Sequence, residues 1–329
     1  MSGDWKQRPE GGGRFALWLI RSIAQHGGRA LGRACLYPIT LYFLLVRGPE
    51  RRDSLAYLAR VLPRPPGLLD VARHIHTFAS TLLDRVFMLG GQMHRFEVEA
   101  SGLEQLHAAL DRGQGVLVFG SHLGSFDSLR ALSRARPDVQ VRVLLDKAHN
   151  PAITRLLYDL NPALAAGIID AGQDGPSIVM EIKQAVDEGA LVALLVDRAR
   201  PGEPSMPTGF LGGTARFPAA PWLIAAALKV PVMLAFGLYR GGNRYQLVFE
   251  HFSDGVDIPR RERATQLTAL IAGYAARLEH YTRAAPFNWF NFFDFWNDPD
   301  APAPLPESPV AAPADPADAH RARALRGGH

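Results

Sequence analysis

Between residues 115 and 251 the chain alternates short apolar runs with amphipathic stretches, and this alternation restricts the fold more than any other feature. Apolar runs fall at 115–119, 139–145 ("VQVRVLL"), 167–170, 190–196 ("ALVALLV"), 231–239 and 244–251. Runs of this length and type read as buried strands. Helical patterns lie between and around them, at roughly 101–111, 125–135, 151–160, 176–188, 217–229 and 260–283. "RGGNR" (240–244) turns the last two strands into a hairpin. Strands separated by helices predict an α/β fold, with a mostly parallel central sheet covered by helices and a site at the strand ends. Upstream, 53–90 has helical periodicity broken at "PRPPG" (63–67), which predicts two helices.

The flanks differ in kind. Residues 1–13, "MSGDWKQRPEGGG", are a polar lead without the apolar core of a signal peptide, so export is not expected. Residues 14–52 carry two apolar stretches, "RFALWLIRSI" (14–23) and "ACLYPITLYFLLV" (34–46), with Arg29 and Arg33 before the second and Arg47, Arg51 and Arg52 after it. Thirteen residues of helix span about 20 Å, short of the roughly 30 Å hydrocarbon core. The expectation is therefore an interfacial helical anchor, its arginines turned toward an anionic membrane surface, with a buried core helix as the alternative. Residues 53–297 form the α/β domain. Residues 298–329 read as a disordered tail: 301–329 hold nine alanines and six prolines and no aromatic residue.

Composition excludes some classes. A chain of 329 residues, 47% hydrophobic, buries a substantial core and is not disordered throughout. Its one cysteine, Cys35, precludes an internal disulfide and a cysteine-based zinc site, fits a reducing compartment, and reads as an apolar filler. The net charge of +4 suits an anionic membrane, an acidic carrier protein or nucleic acid equally well. No nucleic-acid-binding module is present, and no nucleic-acid partner is expected.

Two strand ends carry polar residues. The run at 115–119 leads into "FGSHLGSFDSLR" (119–130), with His122 and Asp127 five positions apart. Five residues of ideal helix turn about 500°, so the two share a site only if the chain bends between them. Gly120 and Gly124 can supply the bend, and Ser125 can cap a helix through Phe126, Leu129 and Leu132 with Asp127 in its first turn. Asp127 would then hold one ring nitrogen of His122 while the other faces a substrate hydroxyl. The plain alternative is a solvated or hydrogen-bonded histidine. The run at 190–196 ends in Asp197 and Arg198, followed by a Pro/Gly-rich loop, Phe210, Gly212 and Arg216. This loop can hold an anion or an oxyanion, or be a structural Asp–Arg pair beside solvent.

His122 and Asp127 in H-x-x-x-x-D spacing, with "DR" (197–198), "FLG" (210–212), "ARFP" (215–218) and "PV" (231–232), resemble the lysophospholipid acyltransferase superfamily, and within it the late acyltransferases of bacterial lipid A biosynthesis. The likeness extends over roughly 14–297. It implies transfer of a fatty acyl group from an acyl-carrier-protein or coenzyme A thioester to a hydroxyl of a lipid or glycolipid, on the cytoplasmic face of the bacterial inner membrane. It also implies His122 as general base and Asp127 as the acid that orients it, with no covalent intermediate, cofactor or metal. Asp197, Arg198, Phe210, Gly212 and Arg216 would bind donor or acceptor. Two positions depart from the pattern. Ser121 stands where an asparagine is common, and "PFNWFNFFDFW" (286–296) has seven aromatics in eleven residues where lipid A enzymes carry histidine and arginine. Similar runs occur in the branch linked to aryl polyene clusters. The run implies a less anionic acceptor, and an apolar donor pocket including Phe210 and Phe217, unless it is a core plug. A lipid or thioester hydrolase and a non-enzymatic membrane-binding protein are the competing classes. No G-x-S-x-G elbow supports a serine hydrolase.

Overall fold

The computed structural model describes residues 13–129, 136–148, 151–199 and 202–296. Three helices come first, α1 (Gly13–Val46), α2 (Gly48–Val61) and α3 (Leu68–Leu89). They are followed by β1 (Glu97–Ser101), α4 (Glu104–Asp111), β2 (Val116–Gly120), β3 (Val141–Leu145), α5 (Pro151–Leu160), α6 (Pro162–Ala166) and β4 (Ile168–Asp170). Then come α7 (Gly175–Asp187), β5 (Leu191–Leu195), β6 (Ser205–Phe210), β7 (Gly213–Pro218), α8 (Ala220–Leu228), β8 (Val232–Tyr239), β9 (Arg244–Ser253) and α9 (Arg263–Ala284).

The fold is α/β, as the alternation predicts. Seven strands make one sheet in the order β1-β9-β8-β2-β5-β3-β4, and every neighbouring pair is parallel except the hairpin β8–β9. Composition explains the order. β2 ("VLVFG") and β8 ("VMLAFGLY") are buried along their whole length, so they occupy the middle, where both faces are covered. Fully buried side chains such as Leu117 and Phe119 each contribute about 2 kcal/mol. β1 ("EVEAS") is largely exposed and lies at an edge. The break at "PRPPG" separates α2 from α3.

Several local expectations change. The loop after Arg198 contains a two-stranded hairpin, β6–β7, which takes the first residues of the helix expected at 217–229. The helix expected at 125–135 is a 3-10 turn over Phe126–Leu129, and the remainder, Leu132 included, lies outside the described residues. Ser125 does not serve as its cap, since its hydroxyl faces Met88 Sδ at 4.0 Å. Residues 1–12 and the tail at 298–329 also lie outside the described residues.

The N-terminal segment is one long helix broken at Gly28, where φ is +70°. Gly28–Val46, 19 residues, is long and apolar enough to cross a membrane by length and composition. One face packs antiparallel on α3: Leu83 lies against Gly32, Leu36 is buried, and Thr40 Oγ1 meets His76 Nδ1 at 3.2 Å. The opposite face leaves Leu31, Tyr37, Leu41, Tyr42, Leu45 and Val46 exposed. Arg29 and Arg33 do not turn outward as expected. Arg29 grips buried Asp84 through Nε (2.7 Å) and Nη2 (2.9 Å), and Asp84 also accepts a bond from Tyr245 Oη at 2.8 Å. Arg33 donates to Tyr239 Oη at 2.9 Å. These contacts lock α1 to the β8–β9 end of the sheet.

Candidate active site

β2 and β5 are parallel neighbours whose last residues, Gly120 and Leu195, face each other. Two residues beyond each lie His122 and Asp197, so the sheet register brings together groups 75 residues apart in sequence. The His122 loop is pressed onto β8. Gly124 has φ +70°, and a Cβ there would sit 2.0 Å from the Gly237 carbonyl oxygen, which accepts a 2.7 Å bond from Ser125 N. Only glycine allows that approach. At Gly120 the ring of Phe126 occupies the space that a Cβ would need.

The partner of His122 is not the one its spacing suggested. His122 Nδ1 meets Asp197 Oδ1 at 2.8 Å, and the His122 backbone N–H donates to Asp197 Oδ2 at 3.1 Å. Asp127 pairs instead with Arg85 Nε of α3 at 2.5 Å. The 3-10 turn places Asp127 against α3, whereas the sheet places Asp197 beside the imidazole. Asp197 is fully buried and also accepts a 3.1 Å bond from the Trp289 indole Nε1–H. Arg198 Nε lies 3.7 Å from the same oxygen. Burial alone would raise the Asp197 pKa, but the imidazole, Arg198 and the backbone N–H outweigh it and hold the carboxyl well below the usual range. It stays ionised.

His122 moves the other way from a typical ion-paired histidine. Desolvation, aided by the nearby charge of Arg198 and more weakly of Arg85, lowers its pKa below 6.5 despite Asp197. The ring is therefore neutral near neutral pH. Nδ1–H pointing at the carboxylate leaves the lone pair on Nε2, which has no hydrogen-bond partner among the described residues, and the side chain is 40% exposed. Such a nitrogen can accept a proton from a hydroxyl brought within hydrogen-bond reach.

The remaining residues singled out in the sequence divide between the site and its surroundings. Arg198 is part-buried, its Nη2 donating to the Phe290 carbonyl at 2.6 Å and its guanidinium over the Phe293 ring at 4.9 Å. Phe210 is 1% exposed, edge-on to Phe217 and Trp289 at 5.6 and 5.1 Å. Phe217 is fully buried, so neither ring forms the expected donor pocket; they are core. Gly212 lies in the β6–β7 turn with φ +72°. Arg216 bonds across that hairpin to Ser205 through Nε (3.0 Å to Oγ) and Nη2 (2.9 Å to the carbonyl).

The first half of the aromatic run, Phe287 to Asn291, is buried, with Phe292, Phe295 and Trp296 partly buried against the core, and it supports the site. Leu123 and Trp289 form an antiparallel bridge, Phe290 N donates to the His122 carbonyl at 3.0 Å, and Gly124 N donates to the Asn288 carbonyl at 2.7 Å. From α3, buried His74 reaches the Trp289 carbonyl through Nε2 at 2.9 Å, and Ser54 Oγ meets its Nδ1 at 2.8 Å. Burial pushes the His74 pKa to about 4, so it is neutral and donates through Nε2. Sequence reasoning missed Arg85, His74 and Trp289 as members of this neighbourhood. Only Trp289 left a signal, as the one tryptophan flanked by asparagine and phenylalanine in the middle of the run.

Residues 76–297 match the family model described as bacterial lipid A biosynthesis acyltransferase. The chain belongs to this family. The matched segment begins within α3 and ends just after the aromatic run, so it includes both His122 and Asp197. A lipid acyltransferase uses an acyl donor and a lipid acceptor, and the family model carries that much for this chain. A search of curated proteins returned no match.

Proposed function

We propose that this acyltransferase moves a fatty acyl group from an acyl-carrier-protein or coenzyme A thioester to a hydroxyl of a lipid or glycolipid at the cytoplasmic face of the inner membrane. The observation that carries this reading is the neutral His122, bonded through Nδ1 to an ionised buried Asp197 and open at Nε2. Nε2 takes the proton from the acceptor hydroxyl as its oxygen attacks the thioester carbonyl. The tetrahedral intermediate then collapses, the new ester C–O bond remains, the C–S bond breaks, and the leaving thiolate recovers the proton from the imidazolium. Asp197 fixes the ring and stabilises the imidazolium, the role first assigned to Asp127. Asp127 acts on the site through Arg85, whose charge it partly neutralises beside His122.

An acceptor with less negative charge than a bis-phosphorylated disaccharide fits the arginines around the site. Arg85 is committed to Asp127, Arg198 to Phe290 and Phe293, Arg73 to the Phe287 ring and Arg60 to the Trp296 ring. An acceptor of that kind agrees with the branch linked to aryl polyene clusters. The test is to express the protein in a bacterium lacking its late lipid A acyltransferases, and to assay it with acyl-carrier-protein and coenzyme A thioesters plus a total lipid extract. Unchanged lipid A with a newly acylated neutral or singly charged lipid is the expected result. Restored lipid A acylation would overturn the acceptor assignment, and free fatty acid as the only product would make the protein a hydrolase.

The apolar stripe of α1 is the proposed membrane contact, lying in the interface while its other face stays on α3. Replacing Leu41 and Leu45 with glutamate is expected to reduce sedimentation with anionic vesicles at least about tenfold, since about 1.5–3 kcal/mol accompanies burial of each leucine. Unchanged sedimentation would remove α1 as the contact.

A further inference from the structure

We propose that Trp289 is a positioning residue of the acyl-transfer site, its indole N–H fixing the Asp197 carboxylate that in turn orients His122. The inference rests on the His122–Asp197 reading above and goes one layer outward. Asp197 Oδ1 is occupied by the imidazole, and Oδ2 receives two N–H donors, one from the His122 backbone and one from the indole. Without the indole, Oδ2 would keep one short bond, and the carboxylate could rotate about its terminal torsion, which is intrinsically broad. The indole closes that freedom.

Trp289 is built to hold this position. It is fully buried, and its ring is wedged edge-on among Tyr57 (5.2 Å), Phe210 (5.1 Å) and Phe295 (4.9 Å). Its carbonyl is held by His74 of α3, and the flanking backbone is bonded to the loop that carries His122. The donor is thus fixed relative to both members of the dyad. Packing alone needs no N–H there, because phenylalanine would fill most of the same space. A buried carboxylate does need donors, since each missing one leaves charge uncompensated.

The consequence for His122 has a definite sign. Losing the indole bond makes Asp197 more basic and strengthens its pull on the imidazolium, so the His122 pKa rises. The other groups facing the pair are Arg198 beyond β5, Arg85 of α3 and Tyr274 of α9, with neutral His74 behind Trp289. None of these groups bonds to the indole N–H, and His74 holds the backbone carbonyl of 289, which both variants keep.

Two variants test the proposal. Trp289→Phe removes the N–H with some loss of volume, and 3-benzothienylalanine incorporated at 289 replaces the N–H by sulfur with the ring shape retained. Each is titrated by NMR with 15N-labelled histidine, the His122 signal being assigned with His122→Ala, and each is assayed over pH with an acyl-carrier-protein thioester and total lipid extract. The His122 pKa should rise by at least about half a unit, the acid limb of kcat/KM should move up with it, and kcat should fall about tenfold. An unchanged titration and profile in the benzothienyl protein overturns the proposal. So does a loss of activity with both unchanged, which is what a packing role alone produces. If the Phe variant fails to fold, the isostere decides. If His122→Ala keeps its activity, the functional reading fails, while the titration still reports whether the indole tunes the imidazole.

Discussion

Acyl transfer is expected to fall at least about 10²-fold when His122 is replaced by alanine, and by a comparable factor in Asp197→Asn, with the fold retained in both. The first change removes the nitrogen proposed to accept the hydroxyl proton. The second keeps shape but not chemistry. The amide keeps one accepting oxygen, so either the imidazole or the backbone and indole donors meet an NH2 group that cannot accept, and in both cases the imidazolium loses the negative charge that supports it. Turnover of an acyl thioester in the presence of lipid, compared with thermal melts of the same samples, separates catalysis from folding. In the parent enzyme, the rate should drop as pH falls through a value below 6.5, because a protonated Nε2 accepts nothing. Near-normal turnover in either variant would sink the assignment.

The second large effect is on stability. Asp84→Ala leaves the Arg29 guanidinium and the Tyr245 hydroxyl without their shared acceptor beneath α1. Asp84 is fully buried and Arg29 only 16% exposed, so the loss resembles breaking a buried pair, about 3 kcal/mol or more, rather than a surface bridge worth under about 1 kcal/mol. A melting temperature lower by roughly 5–10 °C is expected for a domain of this size. The double variant Arg29→Ala/Asp84→Ala should recover part of the loss, because neither charge is then stranded. A shift below about 2 °C in the single variant would show that the pair is as weakly coupled as a surface bridge.

The centre of the sheet was legible because β2, β5 and β8 are apolar throughout: a run such as "ALVALLV" has few places other than the centre of a covered sheet. β1 was not, since "EVEAS" at an exposed edge carries no apolar pattern. β6 contains Pro207, which read as loop, and β7 contains Pro218, which read as the start of a helix, yet the two pair with each other in a hairpin apart from the main sheet. The site was half legible. His122 and Asp197 each stood out as polar residues at the end of an apolar run, but their pairing depends on β2 and β5 being neighbours, which local spacing cannot encode. The nearer carboxylate, five residues away, drew the assignment, and Arg85 on α3 is what takes it. Arg29 and Arg33 looked like residues for lipid headgroups because a sequence does not show that α3 and the hairpin lie beneath that face of α1.

The stitching of residues 288–290 to the His122 loop sets a time order on the enzyme. During synthesis α1 emerges first, the strands that bear His122 and Asp197 follow, and the segment that braces both arrives last. At about 5–20 residues per second, the ribosome needs on the order of ten seconds or more to pass from His122 to Trp289. Over that interval the nascent chain holds His122 and Asp197 but not the wedge that packs against them. A chain interrupted ahead of Trp289 is therefore expected to carry both residues of the proposed dyad without the contacts that hold them in register.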